Sequence, residues 1–184
     1  TQCPTNLGTG MRASVMLHLP ALEKSRTIGR IAGNLSKLGL TIRGAYGEGS
    51  EPSGSLYQLS NQVTLGISEK AAIENLENIT KQLVSQEQQA RERLAKSIDI
   101  QDSVSRSLGL LKSAMVMTHD EALKLLSNVR FGILSGQIKD VTAEVVDSLM
   151  EKIEPATLMV NAGKNLSAQE RDIERAKILR EALS

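Results

Sequence analysis

Residues 3–20, Cys-Pro-Thr-Asn-Leu-Gly-Thr-Gly-Met-Arg-Ala-Ser-Val-Met-Leu-His-Leu-Pro, decide how this chain is read. The stretch divides at Ala13. Before it, Gly8-Thr9-Gly10 marks a turn, and no Gly-Lys-Ser/Thr follows to make a Walker-type phosphate loop. After it, Ala13 to Leu19 is a short apolar run stopped by Pro20, which predicts a strand. Working outward, Ile28, Ile31, Leu35 and Leu38 recur at helical spacing and predict a helix over 22–38. Gly39 is placed to end that helix. Leu40, Ile42 and Arg43 predict a second strand. Gly44 to Gly54 holds four glycines and one proline, a loop composition. Leu56, Tyr57 and Leu59 predict a strand leaving it. Strands mixed with helices in this order predict an α+β fold.

Beyond residue 67 the pattern is helical throughout. Ser68 can cap a long helix running to about residue 97, with Ile73, Leu76, Ile79 or Thr80, and Leu83 on one side. Its polar second half, QEQQARERLAK, predicts either a solvated face or packing on another chain. Further helices are expected over 103–116, 119–134, 143–153 and 168–183. Thr118 with Glu121, and Ser167 with Glu170, have capping-box spacing. Ala122, Leu126, Val129 and Ile133 share one face, as do Val146, Leu149, Met150 and Ile153. The expected division is therefore an α+β part over 1–97 and an all-helical part over 98–184.

Composition excludes several classes of function. Of 184 residues, 22 are Lys or Arg and 21 Asp or Glu, giving a formal net charge of +1. A general nucleic-acid binder would carry a clear basic excess. Tyr46, Tyr57 and Phe131 are the whole aromatic complement, too few for base-stacking platforms. Any core must therefore rest on aliphatic side chains. No apolar run approaches a membrane span, and the first residues lack the pattern of a secretory signal. Cys3 has no internal disulfide partner, which fits a reducing cytoplasm. One Cys with His18 and His119 offers no zinc-ligand spacing.

Taken by residue type alone, Arg12 and Arg43 are surface arginines or phosphate-gripping forks. Glu48 is a solvated loop carboxylate or a base, and Cys3 is a buried thiol or a reactive one. Near the end, Glu170-Arg171-Asp172-Ile173-Glu174-Arg175-Ala176 places Arg171 and Arg175 four apart on one helix face. That string is a solvated salt-bridge helix or a site needing both signs of charge.

The larger strings resolve these alternatives. Cys3-Pro4-Thr5-Asn6-Leu7-Gly8-Thr9-Gly10-Met11-Arg12-Ala13-Ser14 resembles the signature of the phosphagen (guanidino) kinase family. In the same order, Arg43-Gly44-Ala45-Tyr46-Gly47-Glu48 resembles its Arg-Gly-Thr-x-Gly-Glu loop. Tyr57-Gln58-Leu59-Ser60-Asn61 resembles Tyr-Asp-Ile-Ser-Asn, and Leu65-Gly66-Ile67-Ser68-Glu69 resembles Leu-Gly-x-Thr/Ser-Glu. The resemblance covers about residues 1–92. Metabolite kinases of the family carry a His against adenine where this chain has Met16. Arg12 to Pro20, and Arg171-Asp172-x-x-Arg175-Ala176, are instead similar to the bacterial protein-arginine kinases. The helical extension of some 90 residues points to that branch as well.

The resemblance implies ATP with Mg²⁺ as the nucleotide, and phosphorylation of arginine side chains in protein substrates. Arg12 and Arg43 would clamp phosphates, with Ser14 and Met16 beside the nucleotide. Glu48 would hold and deprotonate the guanidinium, and Cys3 would lie next to it. A guanidinium is a poor nucleophile until a carboxylate takes its proton. Arg171, Asp172 and Arg175 would receive phosphoarginine. Also implied are a cytoplasmic location, a McsA-like activator, a Clp protease system and a homodimer or larger assembly, with neither nucleic acid nor membrane as partner. The family's N-terminal domain would precede Cys3, so this chain is expected to be a C-terminal portion, inactive alone. Two alternatives remain: a non-catalytic phosphoarginine-binding and dimerisation module, and a kinase for a small guanidino metabolite.

Overall fold

The computed structural model describes residues 7–45 and 52–184. The expectations for Cys3, Tyr46 and Glu48 fall outside these residues. The chain forms two compact units, Thr1–Arg91 and Glu92–Ser184.

In the first unit, β1 (Ser14–His18), β2 (Leu40–Gly44) and β3 (Leu56–Asn61) make an antiparallel sheet in the order β1-β3-β2. β3 is central because both β1 and β2 pair with it; along it Tyr57 and Leu59 point to the buried face, and Gln58 and Ser60 to the other. Leu17, Leu40, Tyr57 and Leu59 are buried. The helix predicted over 22–38 is in fact two, α1 (Pro20–Lys24) and α2 (Ile28–Lys37). Arg26, at φ 56°, separates them. The break has a local cause: the Leu22 carbonyl accepts from the Ser25 and Thr27 hydroxyls and the Thr27 amide, so the chain turns there. Gly39 follows α2 in the left-handed region, at φ 72°.

Helix α3 spans Glu69–Leu94, with Ser68 accepting from the Ala71 amide. Its polar second half is not wholly solvated. Glu87 and Ala90 are buried, in line with Ala72, Leu76 and Leu83. The cover comes from this same chain, since Glu87 bonds the amides of Ala21 and Leu22.

The second unit is helical: α4 (Ile98–Ser113), α5 (His119–Leu134), α6 (Ala143–Lys152), α7 (Pro155–Ala162) and α8 (Ala168–Leu183). Helix α4 begins earlier than the apolar pattern suggested, and α7 had no sequence expectation at all. Ser167 and Glu170 make a complete capping box on α8, whereas Thr118 caps α5 in one direction. The core joins Leu111, Leu123, Leu126 and Val129 to Val146, Leu149, Ile153 and Leu179. Gly132 lets α4 and α5 approach, because a Cβ there would lie 2.4 Å from Val104 Cγ1. No helix among the described residues is long and apolar enough to cross a membrane.

Candidate functional site

The strand register sorts the first unit's sheet into two faces. Val15–Leu59–Ile42 and Leu17–Tyr57 form rows on the buried side. On the other side, Ser60 of the central strand pairs with Ser14 and with Thr41, and Gln58 pairs with Met16 and with Arg43. Side chains in one row point to one face. Thus Ser14, Met16 and Arg43, three of the four residues expected at a nucleotide, share a polar face. The fourth, Arg12, joins them: its Nη2 donates to Ser60 Oγ at 3.2 Å. Gln58 Nε2 donates to Ser14 Oγ at 3.1 Å. Met16 is 54% exposed, so its thioether is open to a ligand on this face.

Arg12 is held where it is by residues not singled out for that task in the sequence. Asn61 Oδ1 accepts from the Ala13 amide at 2.7 Å, and its Nδ2 donates to the Met11 carbonyl at 3.0 Å and the Val63 carbonyl at 3.2 Å. This buried amide fixes the backbone on both sides of Arg12. Upstream, the Thr9 amide donates to the Thr64 carbonyl at 3.0 Å. Gly8 makes that approach feasible: at φ 71°, a Cβ would sit 2.1 Å from Thr64 O. The signal for this scaffold was a lone Asn ending an alternating strand, visible only as part of a motif.

At the far end of the sheet, the Ala45 amide donates to the Leu56 carbonyl at 3.0 Å, and the Leu19 amide to the Ser55 carbonyl at 2.9 Å. These bonds secure the ends of β2 and β3 from which the segment holding Glu48 departs. Among the described residues, no group of three or more His, Cys, Asp or Glu could hold a metal ion.

The second candidate site lies on α8. Arg175 is 1% exposed. Its Nε donates to the Ile153 carbonyl at 3.1 Å, and its Nη1 to the Met117 carbonyl at 2.9 Å and to Asp172 Oδ1 at 2.5 Å. The Asp172 carbonyl in turn accepts from the Met117 amide at 3.1 Å. Arg175 thus ties α8 to the end of α6 and to the residue before the α5 cap. Arg171 is only part-buried, with Nη1 donating to the Leu166 carbonyl at 2.7 Å. Asp172 keeps about a quarter of its side chain exposed. The motif is therefore not a solvated salt-bridge helix. One of its arginines is interior, and the other stands at the surface with the carboxylate.

Comparison with known proteins matches both parts of the chain to family models. Residues 1–90 match the family model of the ATP:guanido phosphotransferase C-terminal catalytic domain. Residues 97–184 match that of the protein-arginine kinase McsB C-terminal domain. A protein-arginine kinase of Halothermothrix orenii is 52% identical over 99% of this chain and 53% of its own length. One from Clostridium acetobutylicum is 47% identical over 100% of this chain and 54% of its own length. One from Geobacillus sp. (strain WCH70) is 48% identical over 100% and 51%. The chain spans about half the length of the curated relatives it matches.

Proposed function

The chain belongs to the ATP:guanido phosphotransferase family, and on that premise we propose that it is the C-terminal portion of a protein-arginine kinase. The observation that carries this reading is the polar sheet face, where Ser14, Met16 and Arg43 stand in adjacent rows and Arg12 bonds Ser60 of the same face. Two guanidinium forks on one face suit a polyphosphate, and exposed, polarisable Met16 suits a flat base. Phosphoryl transfer asks mainly for such positioning and charge neutralisation.

In the proposed reaction an arginine side-chain nitrogen attacks the γ-phosphorus of ATP. The N–P bond forms as the bond from the γ-phosphorus to the bridging oxygen breaks, releasing ADP. Glu48 takes the guanidinium proton, and Cys3 lies beside the acceptor. Mg²⁺ enters as part of the substrate, on the nucleotide's phosphate oxygens, where it shields charge.

The second unit is proposed as a phosphoarginine receptor and dimerisation element. Arg171 and Asp172 would meet the phosphoryl and guanidino groups, and Arg175 would hold Asp172 in place. An activator of the McsA kind, a Clp protease, a stress role and a cytoplasmic setting belong to the same proposal.

Titration of ATP against the full-length enzyme tests the sheet face. Arg12→Ala and Arg43→Ala should each weaken ATP binding by tenfold or more. Unchanged affinity and turnover in both would return these arginines to ordinary surface residues.

A further inference from the structure

We propose that Glu87 is a positioning residue for the nucleotide, holding the end of β1 in register from helix α3. This rests on the nucleotide reading of the sheet face. Strand β1 leaves the sheet at His18 and enters α1, only five residues long. The residue before α1, Leu19, has no side-chain acceptor to cap it. The first-turn amides of such a helix need outside partners. Water cannot supply them here, because Leu19, Ala21 and Leu22 are buried.

Glu87 supplies both. Its Oε1 accepts from the Ala21 amide and its Oε2 from the Leu22 amide, each at 2.9 Å. The side chain is 5% exposed, a rare state for a glutamate. Burial raises its pKa above the ordinary carboxylate value, outweighing the two amide bonds and the nearby Arg91, and Glu23 adds to the rise. A carboxylate so placed leaves α3 little freedom to slide. Any shift along the helix axis strands two buried amides and a buried carboxyl group together.

The restraint reaches the proposed nucleotide residues directly. Ala21 is five residues beyond Met16 on a continuous backbone. The connection is stiffened twice more: the Leu19 amide donates to the Ser55 carbonyl at 2.9 Å, and Tyr57 OH donates to Glu23 Oε2 at 2.9 Å. Tyr57 itself pairs with Leu17 across β1 and β3. β1 is therefore fixed at its start by Asn61 and at its end by Glu87, with Ser14 and Met16 between.

A merely structural carboxylate and a positioning one differ in kinetics. Loss of structure lowers the active fraction and thus apparent kcat, leaving KM for ATP unchanged. Loss of positioning raises KM for ATP while leaving KM for the arginine substrate alone. In the full-length enzyme, well below its melting temperature, Glu87→Gln keeps one acceptor and should raise KM for ATP three- to tenfold. Glu87→Leu keeps none and should raise it further. Arg12→Ala is measured beside them. If Arg12→Ala raises KM for ATP and Glu87→Gln does not, the positioning role is overturned while the nucleotide reading stands. If Arg12→Ala has no effect, the nucleotide reading fails and this inference with it. Amide hydrogen exchange on the wild-type enzyme covers variants that do not fold. ATP should slow exchange of residues 19–25 along with 14–18, and protection confined to 14–18 would overturn the proposal.

Discussion

Arg175 lies in the core of the second unit and donates at 2.5 Å to Asp172, which remains about a quarter exposed one turn earlier on α8. The pair joins an interior cation to a surface carboxylate. An exposed pair at this spacing would contribute about 0.3–0.5 kcal/mol. A buried arginine with two carbonyls and a carboxylate is a different matter. Removing it leaves three acceptors unsatisfied.

Arg175→Ala should therefore destabilise the second unit by about 3–5 kcal/mol. Arg175→Lys should recover only part of this, since a single ammonium cannot reach Ile153, Met117 and Asp172 in the geometry of a fork. Chemical denaturation of the 184-residue chain measures both. A loss below about 1 kcal/mol for the alanine variant would place Arg175 in solvent instead.

Phosphoarginine should bind the same chain through Arg171 and Asp172, and unmodified arginine should bind far more weakly. Charge-assisted bonds to phosphate are roughly twice as strong as neutral ones, so one small pocket suffices. Calorimetry with Arg171→Ala and Asp172→Ala checks this. Full binding by either variant, or equal binding of the two ligands, contradicts the site.

Asn61→Ala should mimic Arg12→Ala in the full-length enzyme, because it frees the backbone on either side of Arg12. An added loss of about 2–3 kcal/mol in stability is expected from three hydrogen bonds, two of them to main-chain carbonyls. An ATP affinity equal to wild type would show that Arg12 needs no such support.

Glu87 predicts a pH signature. Burial raises its pKa above the ordinary 4.5 despite two amide bonds. The folded state then holds the proton at pH values where the unfolded chain has released it. This group's contribution to stability accordingly falls as pH rises from about 4.5 through the raised value, then levels off. The difference in melting temperature between wild type and Glu87→Gln should change over that interval and be flat above it. A difference independent of pH would mean that Glu87 is not buried as a carboxylate.

These residues show which parts of the molecule are legible in its sequence. The apolar run ending at Pro20 located β1, and periodicity located α5 and α6 closely, because their apolar positions face one core. Gly39 and the Ser167–Glu170 box marked helix ends by local chemistry alone. The break at Arg26 was hidden, since Ile28, Ile31 and Leu35 all lie beyond it and report only α2, while the turn is made by hydroxyls on Ser25 and Thr27. Helix α7 is eight residues long, too short for periodicity to register. Glu87 sits in a polar run, and only its partner 66 residues away explains it. On the sheet face, the motif order found Arg12 and Arg43. The pairing that sets Arg43 beside Gln58 and brings Arg12 to Ser60 depends on long-range register, which no local pattern carries.

The central claim is tested most directly by incubating the full-length enzyme with Mg²⁺, ATP and an arginine-containing protein, and searching the product by mass spectrometry for phosphorylated residues. The account predicts phosphoryl groups on arginine nitrogens, lost in acid, and reduced 10²-fold or more in the Glu48→Gln variant, which keeps the side chain's shape but cannot take the proton. Phosphorylation confined to serine, threonine or tyrosine, no transfer at all, or near-normal arginine phosphorylation by Glu48→Gln would contradict it.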